Sequence, residues 1–242
     1  HEQPDRVPID LGGTRQSGIA ASTYHALKRH LRIDSPTRVF DIYQMLAEVE
    51  RPVMERFGAD VVGLYRPEVA FGLRNEAWTD WKLFDGTPVE VPAGFQPQVQ
   101  SDGGLVIVRG DEPIARMPKG GFYFDRLEKY PGAAHVDLDG FAPPLLSEAD
   151  LQHYQSQSKA LFENTDFAIC APLGPPYELF YGLGTGDVES WMITLACEPD
   201  YVHQLNERLV EAWLVNLQRM VDAVEDRVQV LQICDDFGTQ QS

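Results

Sequence analysis

Apolar residues recur along this chain in two rhythms, and each rhythm predicts a different element. Steps of three and four line one face of a helix. They occur at Tyr24, Leu27 and Leu31, again at Met45, Leu46, Val49, Val53, Met54 and Phe57, and over a long stretch at Val202, Leu205, Leu209, Trp213, Leu217, Met220 and Val224. The first set predicts a helix from Ser22. The second predicts one that begins near Asp41 and stops at Gly58, where glycine suits a left-handed cap. The third predicts a helix over Pro199 to Val224, with proline in its first turn. Ser147 followed by Asp150 resembles a capping box and opens a further helix, and Asp187 to Ala196 completes the helical set. Short apolar runs closed by breakers predict strands at Arg6 to Leu11, Asp60 to Arg66, Phe167 to Ala171 and Val228 to Cys234.

Strands that alternate with long helices predict a parallel sheet whose crossover helices cover its faces. Residues 75–126 break that order. There Trp78 to Phe84, Pro88 to Pro92, Leu105 to Arg109 and Gly121 to Asp125 are separated by Asp85-Gly86, Asp102-Gly103-Gly104 and Lys119-Gly120, which are turn signals. The stretch reads as an inserted β-meander, closed on itself by its hairpins and therefore removable. Alternation within the core strands sends Val7, Ile9, Leu11, Phe167, Ile169, Leu231 and Ile233 toward the helices. It leaves Asp10, Gly12, Ala168, Cys170, Gln232, Cys234 and Asp236 on the opposite face. A small, partly polar inner face suits a barrel lined for chemistry at its mouth better than a doubly wound sheet. The expected fold class is α/β, a partial TIM (β/α)8 barrel of about four βα units. Residues 1–242 form the incomplete barrel and 75–126 the meander within it.

Composition narrows the class. Of the 242 residues, 43% are hydrophobic and 24% charged, enough for a sizeable globular core. No apolar run approaches the roughly 18 residues of a membrane helix, and His1 to Asp10 lacks the basic-then-apolar layout of a signal peptide. A cytoplasmic protein with no membrane partner is the expectation. Cys170, Cys197 and Cys234 are odd in number and sit in apolar runs, so reduced thiols are expected. A net charge of −17 repels a polyphosphate and argues against nucleic acid.

Five phrases then carry a resemblance. His1-Glu-Gln-Pro-Asp-Arg-Val-Pro, Phe57-Gly-Ala-Asp-Val-Val-Gly-Leu, Gly121-Phe-Tyr-Phe-Asp, Leu173-Gly-Pro-Pro-Tyr-Glu and Asp235-Asp-Phe-Gly-Thr-Gln, in this order, resemble the uroporphyrinogen decarboxylase superfamily. That resemblance implies a TIM barrel, acting either as the decarboxylase of porphyrin and haem biosynthesis or as a corrinoid-dependent methyltransferase. Family barrels have eight strands in a considerably longer chain, so this one, which starts without Met, is expected to be an N-terminal fragment.

The family's decarboxylases carry Arg-Gln-Ala-Gly-Arg after the first strand, whose arginines hold substrate carboxylates. The matching text here is Gly13-Thr-Arg-Gln-Ser-Gly, with Arg15 alone and Ser17 where a second arginine is sought. Their catalytic aspartate after the second strand falls near Arg66 or Pro67. Their tyrosine after the third strand matches Tyr181, and an Asp-Ser phrase at the fourth becomes Asp235-Asp236. A substrate with many carboxylates needs several cationic donors, so the methyltransferase branch is the better match. It implies methyl transfer from a corrinoid, or from a methoxy or methylamine source, to a thiol or tetrahydrofolate. The resemblance makes Asp236, Asp235 and Tyr181 the catalytic candidates, and Arg15, Arg66 and Gln232 the substrate-binding ones. Methyl-corrinoid would be the co-substrate, brought by a corrinoid-binding protein, beside a small-molecule substrate. The superfamily's zinc-using methyltransferases hold their metal after the fourth strand, so no metal ligand is expected within this chain and any zinc belongs beyond it.

Plainer readings stand beside these roles. The acid pair also suits a helix cap, and Cys170 and Cys234 suit small core residues. Gly12-Gly13-Thr14 suits a tight turn as well as an anion site, and Arg66 a salt bridge as well as a substrate carboxylate. Trp78 and Trp81 suit the meander core. A non-catalytic barrel that binds a partner through the meander is the remaining functional alternative.

Overall fold

The computed structural model describes residues 5–127, 136–172 and 188–233. Residues 6–12 run beside a later strand without forming one themselves. Asp60 N–H donates to Ile9 O at 2.8 Å, while the Asp60 carboxylate accepts from Ile9 N–H at 2.7 Å and from Arg6 Nη1 at 2.8 Å. A side chain thus stands where a second ladder bond would be, and Pro8 has no N–H to extend the pairing. Val7 and Ile9, expected against helices, are exposed. The Ile9 N–H, with Arg6 adding to it, holds the Asp60 carboxyl below its usual range. Its folded pKa therefore lies below the unfolded value of about 3.9. The stabilisation is present above that value and is lost as pH falls through the folded pKa. Asp60→Asn is expected to lower the melting temperature at pH 7, with the gap to the parent closing on acidification. A gap that stays constant down to about pH 3 would contradict the linkage.

A two-residue strand, β1 (Ile19–Ala20), leads into α1 (Ala21–Leu31). The buried side of α1 carries Ala21, Tyr24 and Lys28. Lys28 tolerates burial because its Nζ donates to Glu50 Oε2 at 2.6 Å, Pro36 O at 2.8 Å and Ser35 O at 2.9 Å. The helix expected from Asp41 does not form there. Instead β2 (Val39–Asp41) pairs antiparallel with β3 (Leu46–Ala47), and helix is confined to α2 (Arg51–Phe57). Asp41 Oδ1 accepts the N–H groups of Tyr43 and Gln44 at 2.8 and 3.3 Å, which turns the chain before a helix can propagate. Gly58 caps α2 at φ 63° as expected, and β4 (Val61–Gly63) follows.

Next come two hairpins, β5 (Glu68–Ala70) with β6 (Leu73–Arg74) and β7 (Trp78–Lys82) with β8 (Pro88–Pro92). Then β9 (Gln98–Val99), β10 (Leu105–Arg109), β11 (Glu112–Met117) and β12 (Asp125–Arg126) form an antiparallel sheet in the order β12-β11-β10-β9. Gly86 and Gly103, at φ 83° and 82°, occupy the expected turns. β11 is hidden from the sequence pattern because Pro113 reads as a breaker. It pairs with Val108 where the ladder register shifts, a place that tolerates a missing N–H. These strands are not closed on themselves. Val91, Ile114 and Phe124 share one core with Tyr24, Val39 and Val53.

The second half opens on α3 (Glu148–Asn164), started by the expected capping box. Ser147 Oγ accepts Asp150 N–H at 3.2 Å and Asp150 Oδ2 accepts Ser147 N–H at 2.9 Å. Then follow β13 (Ala168–Pro172), α4 (Val188–Cys197), α5 (Pro199–Val224) and β14 (Val230–Gln232). β4, β13 and β14 make a parallel sheet in which each strand lies beside the next in sequence, with Val62 opposite Ile169 and Ala171 opposite Leu231. Ile169, Ala171 and Leu64 pack on Tyr154, Met220 and Val224, so helices cover the face that alternation assigned to them. On α5, Trp213 and Leu217 are only half-buried and Asn216 takes a core position. Its carboxamide accepts Leu146 N–H at 2.7 Å and donates to Pro144 O at 3.1 Å. β14 is the outer strand of this sheet, and its Leu231, expected against helices, is 39% exposed. The described residues form a mixed α/β architecture with several small sheets and five helices, and among them no sheet closes into a barrel. None of the described helices is long and apolar enough to cross a membrane.

Candidate functional site

Because β4, β13 and β14 are parallel, their C-terminal ends share one side of the sheet, and the loop of residues 12–18 lies against them. Gly13 O sits 2.5 Å from where a Cβ on Gly63 would be, at the end of β4. At the end of β14, Gln232 Nε2 donates to Gln16 Oε1 at 2.9 Å. The loop is built by its own polar groups. Gly12 N–H donates to Ser17 O at 3.1 Å, Gly13 N–H to Asp10 Oδ1 at 2.8 Å and Thr14 N–H to Ser17 Oγ at 3.2 Å. With those donors used internally, Gly12-Gly13-Thr14 is a tight turn and not an anion cradle.

That turn sets Arg15 and Tyr65 in place. Arg15 Nε donates to Asp41 Oδ2 at 2.5 Å, and its guanidinium covers the Tyr43 ring at 5.7 Å. Asp41 is fully buried, so the ion pair matches one guanidinium with one carboxylate and leaves little surplus positive charge there. Tyr65 donates its hydroxyl to Gly12 O at 3.1 Å and packs on Phe40 with ring centroids 4.5 Å apart. Burial pushes the Tyr65 phenol well up, and Asp10 and Cys170 add to the effect while Arg15 opposes it. The phenol is therefore protonated at neutral pH and serves as a donor.

Of the residues expected at the site, Gln232 meets the loop that carries Arg15 through Gln16, while the Arg15 side chain itself turns to Asp41 and Tyr43, and Cys170 is buried near Tyr65. Arg66 does not join them. It follows Leu64 to the helix side, where its guanidinium opposes the upward shift that burial gives the Tyr154 phenol on α3. Asp235, Asp236 and Tyr181, together with Cys234, lie outside the described residues. Trp81 packs in the core against Phe95 at 5.3 Å, and Trp78 is covered by Arg38 at 5.3 Å. Among the described residues no three His, Cys, Asp or Glu side chains stand together as a metal site.

Three site residues went unsingled in the sequence. Alternation puts Asp10 on the inner face without giving it a role, the helical spacing makes Asp41 a helix start, and the apolar run makes Tyr65 part of a strand. The usable signal was parity: Tyr65 shares its side of the chain with Gly63, which the structure places under the loop. Gly63→Ala is expected to push that loop and the Tyr65 ring aside at a cost of ~1–3 kcal/mol, measured by denaturant unfolding. An unchanged midpoint would show that the loop does not press on β4.

No protein-family model, curated protein or solved structure matches this chain.

Proposed function

We propose that the chain is part of a TIM-barrel enzyme similar to the uroporphyrinogen decarboxylase superfamily, moving a methyl group from a corrinoid to a thiol or tetrahydrofolate. The observation that carries this reading is that Tyr65 and Gln232, at the C-terminal ends of parallel strands, both meet the loop of residues 12–18 that carries Arg15. Barrels of this kind keep their chemistry at that end, and completing one takes strands beyond those described. Arg15 favours methyl transfer over decarboxylation of a polycarboxylate. Its charge is already answered by Asp41, whereas several carboxylates need several unanswered donors. A methyl group needs positioning more than charge partners.

Gln232 faces the loop of residues 12–18, and Asp236 shares its parity along the strand direction. In this reading Asp236 takes the proton of the acceptor thiol or amine. The acceptor then attacks the methyl carbon, and the corrinoid leaves with the bonding pair. Asp235 and Tyr181 are the further catalytic candidates that the resemblance implies. No step proposed here depends on zinc. The full-length protein is expected to remove the methyl group of methylcobalamin, followed by its absorbance, only when tetrahydrofolate or a thiol is present. A folded protein that turns over no acceptor would favour the non-catalytic barrel instead.

A further inference from the structure

A cleft of 360 Å³ opens where the chain leaves β4, between α3 and residues 74–78. Tyr65 and Gly12 line one end of it, so it adjoins the strand-end site from the side. Its size is that of a small-molecule pocket. Its floor is apolar, formed by Phe40, Val49, Met54 and Leu161.

Charge in its wall is distributed unevenly. Arg38 is paired with Glu90 at 2.8 Å and stacked on Trp78, and Arg74 is paired with Glu76 at 3.3 Å and Glu68 at 3.8 Å. Glu48, which also lines the cleft, stands in the field of Arg38. Arg66 differs. Among the described residues no carboxylate pairs with it, and it stands beside Tyr154, whose buried hydroxyl has no hydrogen-bond partner among the described residues. The guanidinium opposes the upward shift that burial gives that phenol. His153, on the same helix, is held by its Nε2 against Tyr65 O at 3.0 Å, which leaves its ring as a fixed edge of the cleft.

We infer that this cleft is a binding site for a small amphipathic monoanion: an apolar, ring-sized body seated on Phe40 and Met54, with one carboxylate held by Arg66. A guanidinium with no carboxylate partner among the described residues matches one carboxylate, since the fork of donors takes both oxygens at once. A polyanion would meet Glu48 and Glu76. The inference does not need the methyl-transfer reading, and a binding measurement distinguishes the failure of one from the failure of the other.

The test is calorimetric titration of the full-length protein with 1-naphthoate and, separately, with inorganic phosphate. Saturable naphthoate binding is expected, weakened at least tenfold in Arg66→Gln, with phosphate binding far more weakly. Because Arg66 also acts on the buried Tyr154 phenol, a second variant guards against a folding artefact. Gln157 lines the cleft from the exposed side of α3, so Gln157→Glu should weaken naphthoate binding and Gln157→Lys should strengthen it without changing the unfolding curve. No saturable naphthoate binding, phosphate binding as tightly as naphthoate, or indifference to both the Arg66 and the Gln157 changes would each overturn the inference.

Discussion

Deleting residues 75–126 is expected to abolish cooperative unfolding of what remains of the N-terminal half. Val89, Val91, Phe95, Ile114, Met117 and Phe124 are each at most 4% exposed and pack in the same core as Tyr24, Val39 and Val53. At ~1.5–3 kcal/mol for each large side chain returned to water, the loss rivals the roughly 5–15 kcal/mol that holds a domain folded. The rings form a continuous contact path, Trp81 on Phe95, Phe95 on Phe124, Phe124 on Phe71 and Phe71 on Tyr43, with successive centroids 5.3, 5.9, 6.0 and 5.9 Å apart. Backbone bonds cross the same boundary, from Glu90 N–H to Thr37 O at 2.8 Å and from Phe124 N–H to Tyr43 O at 2.9 Å. Thermal unfolding of a variant with the stretch replaced by a short Gly-Ser linker would read the outcome. A transition as sharp as the parent's would mean that the hairpins form a separable unit after all.

If the proposed methyl transfer is the protein's activity, Asp236→Asn is expected to reduce turnover on the order of 100-fold or more, the size of a lost general base, with Asp235→Asn close to the parent. The substitution keeps the shape of the side chain and removes its basicity. The asymmetry follows from strand parity. Gln232 points at Gln16 in the loop over the strand ends, and in the sequence pattern Asp236 has its parity while Asp235 has the other. Cys170 and Gly63 occupy the same face of the neighbouring strands by register, and Tyr65 continues it beyond β4. Rates measured at saturating substrate separate the two variants. Equal and mild losses in both would return the acid pair to a helix-capping role.

How much of this was legible in the sequence depended on whether the signal was local. The capping box at Ser147, the glycine cap at Gly58 and the span of α5 depend on a few neighbouring residues, and each was readable. The parity of β13 was readable too, because Ile169 and Cys170 differ in what covers them and not in whether they are buried. What failed depended on distant partners. Asp41 stops a helix by capturing two nearby N–H groups, yet its burial is tolerable only because Arg15 meets it from another segment. Residues 6–11 alternate like a strand, but the Asp60 carboxylate takes the N–H that a ladder would use. Hairpin signals marked the meander's turns correctly and could not show that its inner side covers α1 and α2. Arg66 looked like a strand-end donor, while parity with Leu64 carries it to the helix side.

The measurement that bears most directly on the proposed chemistry is a parallel product assay on one preparation of the full-length protein. It follows carbon dioxide released from uroporphyrinogen, and methyl transferred from methylcobalamin to tetrahydrofolate or a thiol. With Arg15 already matched by Asp41, methyl transfer without carbon dioxide is the predicted result. Stoichiometric carbon dioxide without methyl transfer would contradict it and give Tyr181 and Asp236 to decarboxylation.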